Sequence, residues 1–159
     1  MFTEHQITEL VDMLYELDHE TKIYFGCDSV RFRKNGRWYA KYATVIVVHM
    51  NGRNGCRVFR DVTVEPDYDL KKDRPRMRLM NEVMKVCEAY NQVAPFVDEF
   101  NISIHLDVNP SEKHGSNCVY KEACGYVLAM TGIEPVTKPH AFAASFSADH
   151  YAHRDPVSE

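Results

Sequence analysis

The chain has 159 residues, of which 45% are hydrophobic and 26% charged. These proportions suit one globular domain and exclude a fibrous repeat or a disordered chain. Lys and Arg number 19 against 23 Asp and Glu, so the net charge of -4 excludes a globally basic nucleic-acid binder. No run reaches the roughly 18 apolar residues of a membrane span, and Glu4, His5 and Gln6 break any signal peptide, so a cytoplasmic protein is expected. Cys27, Cys56, Cys87, Cys118 and Cys124 include no CxxC pair, which excludes a disulfide framework and a zinc ribbon.

Thr3 and Gln6 have the spacing of a capping box, and Ile7, Leu10, Val11, Leu14 and Leu17 recur at helical spacing. A first helix is therefore expected to end near Asp18. The β-prone run Lys22 to Cys27 predicts a strand ended by Asp28 and Ser29, and a second strand follows from Trp38 to Met50. Between them, Asn35-Gly36 is a hairpin signal. A third strand is expected over Cys56 to Val64, and Pro66 and Pro75 bracket a loop.

Past Pro75, Met77, Met80, Val83, Met84, Cys87 and Tyr90 share one face of a helix running to Gln92, with Glu82 at the margin of that face. Ile102, Ile104, Leu106 and Val108 alternate with Ser103, His105 and Asp107, which predicts a strand with one polar face. A helix from Asn117 to Thr131 is closed by Gly132, a short strand follows over Glu134 to Thr137, and a last helix is expected within Ala141 to Arg154. The order implies a mixed α/β sheet, three antiparallel strands then two more, with helices on both faces and an extra helix at the N-terminus. One domain over 1–159 is expected, with residues 1–20 an extension, 22–154 the core and 155–159 a loose tail.

Three carboxylates stand where elements end or begin, namely Asp28, Asp107 and, near the last helix, Asp149. If the first and fourth strands are parallel neighbours, Asp28 and Asp107 emerge at one sheet edge, where Glu82 can join them. Such crowding calls for a divalent cation, and hard oxygen donors select Mg²⁺ or Mn²⁺. Taken singly, each of these residues is also explained as a cap, a turn former or a solvated charge.

The runs IYFGCDS (Ile23 to Ser29), RLMNEV (Arg78 to Val83), HLDVNP (His105 to Pro110) and KPHAFAASFSADHYAHR (Lys138 to Arg154) together resemble the ribonuclease H-like proteins, and among them a small bacterial and phage subfamily. The resemblance implies an Asp-Glu-Asp-Asp site formed by Asp28, Glu82, Asp107 and Asp149, with two metal ions acting on a phosphodiester and Asp28 bridging them. It implies a nuclease for RNA, DNA or a hybrid, with junction resolvase and exonuclease within range, working in the host cytoplasm if phage-encoded. The alternative is a nucleic-acid- or protein-binding module on the same fold with little or no activity. The N-terminal helix, outside the family core, is expected to cover a sheet edge or support a homodimer.

Ten basic residues fall in two windows, Arg31, Arg33, Lys34, Arg37 and Lys41, then Lys71, Lys72, Arg74, Arg76 and Arg78. Arg31, Arg33 and Arg37 around the hairpin, with Phe32, Trp38 and Tyr39, are candidates to meet phosphates and bases, and the window from Lys71 to Arg78, with Lys71, Lys72, Arg74 and Arg76 as its binding candidates, is expected to flank the metal site and guide an anionic strand. Basic charge at a helix N-terminus is locally unfavourable. His114, Asn109 and His150 are auxiliary candidates, for proton transfer or for contact with phosphate. Asn109, Ser111, Ser116 and Asn117 equally suit ordinary loop and cap chemistry, His150 with His153 a solvated helix face, and Cys27 the core.

Overall fold

A computed structural model describes residues 1–50, 55–69 and 75–143. Helix α1 (Glu4–Leu14) opens with the capping box, in which the Thr3 hydroxyl accepts from the Gln6 amide at 3.1 Å and the Gln6 side chain accepts from the Thr3 amide at 3.0 Å. It ends earlier than its apolar spacing predicts, giving way to turns that carry the chain to Leu17.

Strands β1 (Lys22–Lys34) and β2 (Arg37–His49) form one continuous antiparallel hairpin. Asn35 (φ 52°) and Gly36 (φ 76°) both lie in the left-handed region, the backbone of a two-residue turn whose twist matches its strands. β1 therefore runs through Asp28 and Ser29, correcting the expectation that they end it. Their pairing with Ala43 and Tyr42 holds them extended. Strand β3 (Cys56–Pro66) pairs antiparallel with β2, and β4 (Asn101–Ile104) parallel with β1, giving the order β3-β2-β1-β4.

Helix α2 (Arg76–Val97) outlasts the expected stop at Gln92, because Val93 and Val97 continue its buried stripe and Pro95 falls only in its last turn. That stripe is Leu79, Val83, Val86, Cys87, Val93 and Val97, packed on Ile23, Phe25 and Cys27 of β1 and Tyr42, Ile46 and Val48 of β2. Met77 and Met84, expected on the apolar face, are exposed, and Glu82 lies within the buried stripe rather than at its margin. The apolar period is carried by the Val and Leu residues, which rotates the buried face away from the methionines.

After a short 3₁₀ turn (Gly115–Val119), helix α3 (Tyr120–Thr131) adds Ala123 and Val127 to the same core and stops at Gly132, whose φ of 74° makes it a left-handed cap. The expected strand near Glu134 is reduced to one parallel bridge between Val136 and His105. The backbone nevertheless binds as a ladder: Val136 donates to the Ile104 carbonyl (2.8 Å), Leu106 to that of Val136 (2.9 Å), and Lys138 to that of Val108 (3.0 Å). α2 and α3 share one sheet face; the helix expected over Ala141 to Arg154 lies, apart from residues 141–143, outside the described residues. The opposite face has a smaller cluster of Ala43, Val45 and Val47 with Tyr24, Val30, Val58 and Val62.

α1 lies beside β3: Gln6 Nε2 donates to the Arg60 carbonyl at 2.8 Å, and Glu9 pairs with Arg57. The N-terminal helix thus contacts β3, the edge strand of the sheet, where it was expected either to cover a sheet edge or to support a homodimer.

His105 differs from the expected polar strand face. It is buried, edge-on to Tyr24 and Phe142, and its Nδ1 accepts from the amides of Phe142 (3.0 Å) and Ala143 (3.1 Å). Burial lowers its pKa from 6.5 to about 4. Between those values the unfolded chain takes up a proton that the folded chain refuses, so stability falls as pH falls, by roughly 3 kcal/mol over the whole window. His105→Asn, which keeps an acceptor near the Nδ1 position, is expected to flatten the decline in melting temperature between pH 6.5 and 4.

Candidate metal centre

The parallel register pairs Phe25 with Ile104, and the same three-residue step leads from Phe25 to Asp28 and from Ile104 to Asp107. Asp28 lies within β1, and Asp107 lies three residues past the end of β4, which stops at Ile104 and so is shorter than its alternation to Asp107 predicts. α2, packed across β1, brings Glu82 to the same point. One carboxylate oxygen from each of Asp28, Glu82 and Asp107 lies within 4.8 Å of the others.

Glu82 is 4% exposed. Burial first, then the charge of Asp28, pushes its carboxyl well above the usual carboxylate range, and Asp107 adds in the same direction. The opposing influences are a 2.5 Å hydrogen bond donated by Ser29 Oγ to Glu82 Oε2 and the Arg78 guanidinium, 3.8 Å from the same oxygen. Arg78 Nη1 also donates to Ser29 Oγ at 2.8 Å, so arginine, serine and glutamate form one relay. On the other side, Lys138 Nζ pairs with Asp107 Oδ1 at 2.5 Å, which raises the lysine pKa.

The start of α2 carries no side-chain cap at Pro75. Asp69, from the preceding loop, accepts from the amides of Met77 (2.8 Å) and Arg78 (2.9 Å), supplying the negative charge that the basic window lacks. Asp67 Oδ1 accepts from the Asp69 amide at 3.0 Å, and Asp67 Oδ2 pairs with Arg31 Nε at 2.6 Å. Arg31 also donates to the Asp69 carbonyl (3.0 Å) and lies 4.2 Å over the Trp38 ring, so it ties the hairpin to the start of α2.

The other sequence candidates divide. Arg33 and Arg37 are exposed on the hairpin, with Arg33 5.8 Å from the Trp38 ring centroid and Phe32 stacked on Tyr39. Arg76 pairs with Glu122. Asn109 Oδ1 accepts from the Ser111 amide (2.8 Å), Ser116 Oγ from the Asn109 amide (3.0 Å), and Asn117 donates to the Pro110 carbonyl (2.9 Å), so these residues build their own loop. His114 is exposed within that loop. Cys27 is buried in the core, as expected. Asp149, His150, Lys71, Lys72 and Arg74 lie outside the described residues.

Sequence reasoning missed Ser29 and Lys138 as neighbours of the carboxylates, and it reached Arg78 as part of a basic window flanking the site but not its pairing with Glu82. The Arg78–Glu82 spacing of i, i+4 was a usable signal for that pairing. Lys138 carried none, because its place depends on the ladder beside residues 104–108.

A mixed sheet with three antiparallel strands, a parallel fourth and carboxylates gathered past the β1–β4 pairing is a nuclease-type α/β fold. The chain belongs to the ribonuclease H-like family, whose match covers residues 5–153 and so begins inside α1. No curated protein and no solved structure matches the chain. Among the described residues, no helix is long and apolar enough to cross a membrane.

Because the raised Glu82 pKa makes the folded chain hold a proton that the unfolded chain releases, metal-free stability should fall as pH rises above the ordinary carboxylate range. Glu82→Gln keeps an acceptor for Ser29 and removes that charge. It is expected to melt above the unsubstituted protein at pH 8, by an amount on the order of a few degrees, with the gap closing toward pH 5. Calorimetry in EDTA checks this.

Proposed function

We propose that this protein is a metal-dependent nuclease that hydrolyses phosphodiester bonds of RNA, DNA or their hybrid. The observation that carries the reading is the convergence of Asp28, Glu82 and Asp107, with ligand atoms within 4.8 Å of one another beside a sheet edge. An all-carboxylate donor set fits Mg²⁺ or Mn²⁺ better than zinc. Bound there, such ions would supply the Lewis acidity that activates a water and stabilises the leaving 3′ oxygen.

The chain's own residues do the rest. Asp28 and Asp107 would hold the metal from the strand side and Glu82 from the helix side, and Asp149 would be the fourth ligand. Ser29 and Arg78 fix the Glu82 carboxylate by hydrogen bond and charge, so it does not have to be ordered when the metal arrives. Arg33 and Arg37 grip the nucleic-acid backbone, and Trp38, 40% exposed, offers a face on which a base can stack. We read the chain as one such unit acting in the cytoplasm.

Two experiments test this. Labelled RNA, DNA and hybrid substrates are incubated with Mg²⁺ or Mn²⁺, and Asp107→Asn is compared with the unsubstituted protein. A lost ligand should lower cleavage at least as much as the roughly 10- to 100-fold typical of a lost outer-shell partner, while melting stays intact. Binding of all three nucleic acids with no cleavage by the unsubstituted protein would move the reading to a binding module. Separately, Arg33→Ala with Arg37→Ala is expected to weaken single-strand binding and to reduce the slope of log affinity against log salt by about 0.7 per lost phosphate contact, measured by fluorescence anisotropy.

A further inference from the structure

Lys138 stands against the carboxylates through its backbone as well as its side chain. Residues 136–138 run beside residues 104–108 on the hydrogen bonds from Val136 to Ile104 (2.8 Å), Leu106 to Val136 (2.9 Å) and Lys138 to Val108 (3.0 Å). This ladder fixes the register of Lys138 against Asp107, so the backbone keeps the ammonium within reach of the carboxylate, 2.5 Å from its Oδ1.

The two cations near the cluster are not alike. Arg78 is 19% exposed in its side chain, bonded to Ser29 and held within the helix–sheet contact. Lys138 is 43% exposed, and a four-carbon stem lets its ammonium leave Asp107 for solvent without any movement of the backbone. Asp107 Oδ1 is the oxygen it occupies. A divalent ion drawn to the same three carboxylates meets a positive charge already resident on one of them, and two cations on one carboxylate repel.

Resting on the metal-site reading above, we infer that Lys138 is a tethered cation that competes with the divalent ion for Asp107. Metal entry requires the Lys138–Asp107 pair to loosen. In the metal-free protein the lysine offsets part of the repulsion among Asp28, Glu82 and Asp107. In the loaded protein its ammonium is free to turn outward.

The test is Mn²⁺ binding to the full chain without nucleic acid, followed by electron paramagnetic resonance of the free ion, for the unsubstituted protein, Lys138→Met, Lys138→Arg and Asp107→Asn. Because the pair is partly exposed and screened, Lys138→Met is expected to bind Mn²⁺ about tenfold more tightly. Lys138→Arg, which keeps the charge, should stay near the unsubstituted value, and Asp107→Asn should bind more weakly. Melting curves in EDTA establish that each variant is folded, and Lys138→Gln substitutes should Lys138→Met fail to fold. If removing the charge leaves affinity unchanged or lowers it while Asp107→Asn still weakens binding, the competition is overturned and the metal site stands. If no variant and no unsubstituted protein binds Mn²⁺ at millimolar concentration, both fall.

Discussion

The parallel pairing of β1 with β4 is the constraint on which the candidate site depends. Its register, continued by the His105 amide on the Phe25 carbonyl (2.8 Å), sets Asp28 and Asp107 each three residues beyond the Phe25–Ile104 pair. It also stops where β1 does not. Past Phe25, β1 continues for nine residues to Lys34, with β2 as its one strand partner among the described residues. The border left by β4 gives the carboxylates a place beside the sheet, and the continued hairpin carries Arg33, Arg37 and Trp38 away from the core.

Glu82 imposes the second demand. A charged residue in the buried stripe of α2 is unfavourable unless its neighbours compensate, and Ser29 and Arg78 do so only in part. The helix must be held firmly to keep Glu82 there, and Val83 and Val86 secure it against the sheet. Asp69 fixes its first turn by taking two amides, and Asp67 and Arg31 connect that turn to the base of the hairpin. The carboxylate cluster and the exposed hairpin are thereby joined by one continuous chain of hydrogen bonds and ion pairs. Arg31 at the hairpin is thus linked through Asp67 and Asp69 to the first turn of α2, one turn before Glu82.

The local signals of the fold were legible where side chain and backbone act within a few residues. Thr3 with Gln6, Asn35 with Gly36, and Gly132 are of this kind, and each gives the predicted cap or turn. Asp28 and Asp107 were legible as a pair only on the condition that the first and fourth strands are parallel neighbours, a condition that the sheet meets. Features set by distant partners were not. β1 passes through Asp28 because β2 holds it. Met77 and Met84 face water because Leu79, Val83 and Val86 outcompete them for the sheet. His105 is buried because Phe142 and Ala143 return to it, and Asp69 caps a helix that begins seven residues later. Lys138 reaches Asp107 across 31 positions. A period or a motif records what one segment prefers, and these placements are decided between segments.

The helix laid along β3 gives the sheet a directionality that its strand order does not reveal. Stacking of sheets edge to edge into an open-ended array needs two receptive borders on every copy, one to accept and one to offer. Gln6 on the Arg60 carbonyl and Glu9 on Arg57 occupy one of them. The same eleven-residue helix (Glu4–Leu14) that buries Leu10 and Leu14 in the core thus also puts side chains across the border where a further strand would add.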